Sequence, residues 1–316
     1  MIQAFPYPLG KKRTSTPISV GYPPQVIQVL AVASNKGGVG KTTVATNLAI
    51  YLRALLPELP VLLIGLDDQT VIDRLLQLRS TSEGAGNLKH GWAERCLDRV
   101  IVLGQFGIHY VPTPPDTGPL KARARDPKTL ARILERTSFD GLVILDTKSD
   151  LEELTTNALA AADLAIFPVA DWASLQETHK SFALLERLGR APATGRVLLT
   201  LVDRRTRVDR EGRDLHERLL SAVDEAGWPR FQTHLSRSPR VEALNSGADV
   251  PRSILHHGRG TAVHRQLREL SEEVAKCLDL GTPAPQPPRK SPIDASQRRL
   301  ANDLRGALLR NLRGRR

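Results

Sequence analysis

The stretch SNKGGVGKTT, residues 34–43, follows the apolar run VIQVLAVA and leads into TTVATNLAIYLRALL, which has helical spacing. A glycine-rich turn between a buried strand and a helix is compatible with few folds. Gly37, Gly38 and Gly40 let the backbone turn without Cβ clashes. N–H groups then converge on one point, where the helix N-terminus adds partial positive charge. Such a site suits phosphate. Lys41 can curl back to β- and γ-phosphates, the Thr42 hydroxyl can bind Mg²⁺, and Val39 and Thr43 complete the expected nucleotide contacts. The strict pattern G-x-x-x-x-G-K-[ST] is broken at Asn35, which stands where the first Gly belongs. The flanking strand and helix supply the missing context. A second lysine, Lys36, opens the loop, and a single nucleotide gives it no task.

Further apolar runs recur along the chain: VLLIGL (61–66), RVIVLG (99–104), GLVILD (141–146), DLAIFPVA (163–170) and RVLLTLV (196–202). They are near-continuous rather than alternating, as expected of parallel strands covered on both faces. Helical segments such as SLQETHKSFALLERL separate most of them. The alternation predicts an α/β fold with a doubly wound, mostly parallel sheet. A last body helix is expected over 261–280. GTPAPQPPRKSP (281–292) then reads as a Pro-rich linker, and residues 293–316 as a basic amphipathic helical tail. Residues 1–25, rich in Pro, Gly, Ser and Thr, read as a flexible basic arm.

The formal net charge of +11 is unevenly placed. Residues 1–26 carry +3 and residues 285–316 carry +7, which leaves +1 for the body. Polycationic ends point to an anionic partner, nucleic acid or a lipid surface. Only 4% of residues are aromatic, so the core must be Leu, Val, Ile and Ala. Cys96 and Cys277 form no Cys-x-x-Cys pair, which argues against a disulfide scaffold and against a cysteine-held cluster or zinc ribbon within one chain. Without an apolar signal-type segment near the start or a run of ~18 apolar residues, the expectation is a cytoplasmic protein.

K-G-G-x-G-K-T-T resembles the deviant Walker A motif of the ParA/MinD family of P-loop ATPases, over about residues 26–280. The resemblance implies an ATP- and Mg²⁺-dependent sandwich dimer in which Lys36 reaches the phosphates of the partner's nucleotide. VLLIGLDDQT is similar to the family's VLLIDLDPQ, which makes Asp67 the water-orienting carboxylate and retains Gln69. FDGLVILDT resembles the Walker B strand, with Asp146 holding the Mg²⁺ shell. LLTLVDRRT is similar to the strand that leads to the adenine pocket, which assigns base contacts to Asp203. Pro168 and Val169 are expected to end a strand. The chain departs from the family at Gly65 and Asp68, where an Asp and a Pro are usual, and at Lys148-Ser149, where the family has Pro-Pro.

By the same resemblance, Arg237, Arg240, Arg252 and Arg259 fall in the DNA-contacting region. The implied partners are a second copy with ATP, nonspecific DNA, and a cargo adaptor of ParB type that stimulates hydrolysis. The implied location is the nucleoid. Two alternatives stay open: a MinD- or flagellar-regulator-like ATPase that uses the tail on membrane, and a nucleotide-locked scaffold made slow by Gly65. A metabolic P-loop enzyme of the same fold is a further class, but nothing in the chain suggests a second small-molecule pocket.

Overall fold

The computed structural model describes residues 27–68, 71–78, 86–203, 212–245 and 252–281. The N-terminal arm, Gln69, and the linker and tail beyond Gly281 lie outside the described residues. Among the described residues the sheet has seven strands: β1 (Gln28–Val32), β2 (Val61–Gly65), β3 (Val102–Leu103), β4 (His109–Val111), β5 (Leu142–Asp146), β6 (Leu164–Val169) and β7 (Gly195–Leu199), in the order β3-β4-β2-β5-β1-β6-β7. All neighbours run parallel except β3 and β4. The doubly wound class is therefore as predicted.

Successive strand residues face opposite layers. Val29 and Ala31 join one core, Leu30 and Val32 the other. One layer is built by α1 (Lys41–Leu55), α2 (Val71–Leu76), α9 (Pro239–Asn245), α10 (Ile254–His257) and α11 (Ala262–Cys277). The other contains α3 (Leu88–Glu94), α4 (Gly118–Arg123), α5 (Thr129–Glu135), α6 (Glu153–Ala161), α7 (Trp172–Arg187) and α8 (Leu215–Glu225). Burial on both faces is why these strands read as continuous apolar runs. α11 begins at Thr261, whose side chain accepts from the His264 N–H, and packs on α1 through Tyr51, whose hydroxyl lies 2.7 Å from His264 Nδ1.

One expected strand needs correction. Of RVIVLG (99–104) only Val102–Leu103 is extended, and it runs antiparallel to β4. Val100 closes a turn onto Leu97, and a one-turn helix at Gln105–Gly107 reverses the chain at once. The strand that continues the parallel sheet beside β2 is the short His109–Val111, hidden from a reading of apolar runs by His109 and the proline after Val111. Asp146, at the end of β5, is register partner both to Val32 and to Gly65. The β1, β2 and β5 ends therefore meet at one edge, where an open α/β sheet presents its ligand crevice.

Candidate active site

The loop after β1 takes the shape that its glycines allow. Gly38 and Gly40 have φ of 77° and 89°, a region other residues enter only under strain. Gly40 caps α1 without a side-chain acceptor, which leaves the first-turn N–H groups open to an anion. Val39 is buried, and its carbonyl accepts from the Thr200 hydroxyl at 2.9 Å, so the end of β7 braces the loop.

Lys41 is only 7% exposed. Its Nζ donates to Ser149 Oγ at 2.6 Å and to the Lys36 carbonyl at 3.2 Å. Burial pushes its pKa down, while Asp146, Asp67 and Asp150 pull it back up. Asp146 is 2% exposed, and its Oδ1 has no hydrogen-bond partner among the described residues. Burial pushes its carboxyl up to about 7, against the hydrogen bond from Thr42 and the charge of Lys41. A buried carboxylate oxygen left without a partner is costly. Beside the Thr42 hydroxyl and facing a phosphate loop, it fits a hard divalent cation with oxygen ligands.

Asp67 follows β2, and the Leu66 N–H donates to the Asp146 carbonyl at 2.8 Å. Its Oδ1 accepts from the Asp68 N–H at 2.8 Å. The Asp68 carboxylate in turn accepts from Lys148 Nζ at 2.9 Å and from the N–H and hydroxyl of Thr117. The Thr117 hydroxyl and Lys148 hold the Asp68 carboxyl below its usual range, and the Asp68 carboxylate in turn raises Lys148. At Gly65 an added Cβ would stand 3.1 Å from Ile72 Cδ1 and 3.2 Å from Thr113 Oγ1. A side chain at this position would therefore crowd Ile72 and Thr113, and Thr113 donates to Asp73 from its N–H at 2.9 Å.

Lys36 is half-buried at the outer limb of the loop. Its N–H donates to Ser34 Oγ at 3.2 Å, and its ammonium is within electrostatic reach of Asp171 and Glu177 on the facing end of α7. The Asn35 side chain donates to Glu177, which fixes α7 against the loop. Trp172, the first residue of α7, is 45% exposed, with the Arg218 guanidinium of α8 5.6 Å from its ring centroid.

A cleft of about 300 Å³ opens beside Gly40 and Thr43. Val39, Val44, Leu201, Leu235, Val241 and Val263 give it apolar walls, and Thr200, Ser236, Ser238 and Glu242 add polar groups. Its size and lining suit a flat heterocycle. Asp203 is half-buried just past Leu201 and is not among the wall residues. Arg237, Arg240, Arg252 and Arg259 are all exposed, on and around α9 and α10. Arg237 pairs with Glu242 at 3.1 Å, and Arg240 donates to the His257 carbonyl.

The structure thus brings Lys36, Lys41, Thr42, Asp67 and Asp146 to one edge. The sequence reading did not find Ser149 as a partner of Lys41, Thr117 as a partner of Asp68, or Thr200 as a brace. The departure at Lys148-Ser149 was the one signal available. Thr117 and Thr200 carry no local pattern that marks them.

A parallel sheet with a glycine loop feeding a helix, a buried lysine and an orphaned strand-end carboxylate defines a P-loop nucleoside-triphosphatase domain. Residues 30–250 match the CobQ/CobB/MinD/ParA nucleotide binding domain, and the chain belongs to that family, among its ParA-type ATPases. It is 34% identical over 258 residues to the chromosome-partitioning ATPase Soj of Thermus thermophilus, covering 78% of this chain and 95% of Soj. It is 29% identical over 229 residues to the chromosome partitioning protein ParA of Caulobacter vibrioides, covering 67% of this chain and 84% of that protein. The fold is shared with McdA of Cyanothece in complex with ATP (TM-score 0.63, 16% identity, 82% of this chain and 99% of that one). It is also shared with the septum site-determining protein MinD of Pyrococcus horikoshii with Mg-ADP (TM-score 0.62, 19% identity, 79% and 97%).

Proposed function

We propose that this chain is a positioning ATPase of the ParA type. Two copies close around two ATP molecules, the closed pair holds DNA without sequence preference, and an adaptor of ParB type triggers hydrolysis and release. The observation that carries the reading is the division of labour between two lysines. Lys41 is buried against Asp146 and Asp67 and serves its own nucleotide. Lys36 stands on the outer limb, where a cation acts best on a nucleotide facing it across an interface.

In the site, Lys41 and the first-turn N–H groups of α1 would bind the β- and γ-phosphates, and the apolar cleft would take the adenine. Thr42 and Asp146 would hold Mg²⁺, which when bound neutralises charge on the phosphate oxygens. Asp67 would hold the attacking water in line. Cytoplasmic, nucleoid-associated placement belongs to this proposal. The DNA contacts assigned to Arg237, Arg240, Arg252 and Arg259, the basic arm and the basic tail are equally part of it.

The test is DNA binding at several salt concentrations with ATP, ADP or no nucleotide. Binding that requires ATP and falls steeply with salt is expected, because phosphate contacts release counterions. Binding indifferent to nucleotide would assign the affinity to the polycationic ends and refute the reading. Lys36→Ala is expected to keep ATP binding to the monomer and to lose ATP-dependent dimerisation in light scattering. Wild-type dimer affinity in that variant would remove Lys36 from the interface. The lack of a carboxylate at Gly65 favours a second reading, a slow scaffold, which predicts ATP-locked dimers with no turnover even when an adaptor is supplied.

A further inference from the structure

Two departures from the family pattern, Asp68 and Lys148, lie 80 positions apart in the chain and meet in an ion pair of 2.9 Å. Asp68 follows β2 and Lys148 follows β5, so the pair joins the loops that leave these two neighbouring strands. The second oxygen of Asp68 accepts from the N–H and hydroxyl of Thr117, which brings in the loop between β4 and α4. Both carboxylate oxygens of Asp68 are therefore engaged, which fixes the residue's orientation. Its backbone N–H donates to Asp67 Oδ1 at 2.8 Å, so that orientation is passed to Asp67. Next to Lys148, Ser149 accepts from Lys41 Nζ at 2.6 Å, and further on Lys121 of α4 pairs with Asp150 at 3.7 Å and with Glu152. The loop after β5 thus touches the phosphate lysine on one side and the Asp67 loop on the other.

We propose that Asp68 and Lys148 are positioning residues for hydrolysis: their ion pair clasps the β2 and β5 loops together and sets the carboxylate of Asp67 through the Asp68 N–H. The proposal rests on the reading of Asp67 as the water-orienting group. The pair is about two-fifths exposed on each side (37% and 42%), so its contribution to folding is small. Its contribution to geometry is not small, because a misplacement of about 1 Å can cost a reaction ~100-fold. A lysine serves here because it reaches one carboxylate oxygen as a point charge and leaves the other to Thr117. Arginine, which keeps the charge and can still reach a single oxygen, is the conservative replacement.

The experiment measures single-turnover hydrolysis of γ-labelled ATP with Mg²⁺, alongside ATP affinity, in the full chain carrying Lys148→Met, Lys148→Arg, Asp68→Asn, the Asp68→Asn/Lys148→Met pair, or Asp67→Asn. Lys148→Met and Asp68→Asn are each expected to slow hydrolysis ~10-fold with affinity changed less than ~2-fold, and the double variant to be no slower than either single one, since both break the same link. Lys148→Arg is expected to recover most of the rate. Wild-type rates in Lys148→Met would overturn the proposal. So would additive losses, which would mean that Lys148 acts on the triphosphate directly, or an Arg variant as slow as the Met one. An undiminished rate in Asp67→Asn would overturn the reading of Asp67 and the catalytic half of the proposal with it. Hydrogen exchange of the nucleotide-free protein tests the clasp without turnover. Lys148→Met is expected to speed amide exchange in residues 113–120 as well as in its own loop, and unchanged exchange in 113–120 would show that the loops are not coupled.

Discussion

Lys41→Ala is expected to abolish measurable ATP binding, a loss of ~100-fold or more in affinity by titration calorimetry. A charge-assisted hydrogen bond contributes roughly 1.5–3 kcal/mol, and a lysine aimed at two phosphates makes more than one. The nucleotide-free protein should also change. Lys41 is the buried cation facing Asp146, Asp67 and Asp150, so its removal leaves Asp146 without that charge and pushes the carboxyl still higher. A variant that bound ATP normally would show that the loop lysine does not face the phosphates.

Asp146→Asn is expected to have opposite effects on stability and on chemistry. The carboxyl of Asp146 is raised by burial from the ordinary Asp range to about 7. Between pH 4 and 7 the folded protein holds a proton that the unfolded chain has already released, so stability falls as pH rises and levels off above 7. Removing the group removes this penalty. The Asn variant without nucleotide should be the more stable at pH 8, with an upper bound of about 4 kcal/mol from the shift alone. Part of that gain is lost because Lys41 loses an opposing charge. The difference should shrink toward pH 4, and urea unfolding at the two pH values measures it. Hydrolysis should drop by about 10²–10³-fold. In the native protein, a cation that needs the ionised carboxylate should raise ATP affinity above pH 7 and lose this effect by ~10-fold per unit below it. Equal Mg²⁺ dependence at pH 6 and 8 would place the cation elsewhere.

The legible parts of this protein are those with local signatures. β1, the glycine loop and α1 are contiguous, and their residue types are dictated by backbone geometry and by phosphate. The central strands read clearly because two apolar layers demand apolar residues at every position. The β3–β4 edge did not, because a two-residue strand and a three-residue strand carry too little pattern to be separated from turns. The carboxylates of the site could be placed because each ends a recognisable strand. Ser149, Thr117 and Thr200 act across 108, 49 and 161 residues of sequence, and such contacts exist only once the sheet has assembled. The walls of the apolar cleft come from the phosphate loop and α1, from the segment just after β7, from α9 and the segment before it, and from α11, so no single stretch announces it.

The two margins of the sheet limit how copies of this molecule can join. On one side the last strand is two residues long and ends at Leu103, 51% exposed. On the other, β7 is already bridged along its free side at Arg230, and Ser236 bridges Val202 just beyond it. Among the described residues neither margin offers a long unpaired strand onto which a neighbour's strand could zip, which disfavours lateral growth into a continuous ribbon. The closure of two copies proposed above would then rest on side-chain surfaces, which can part again.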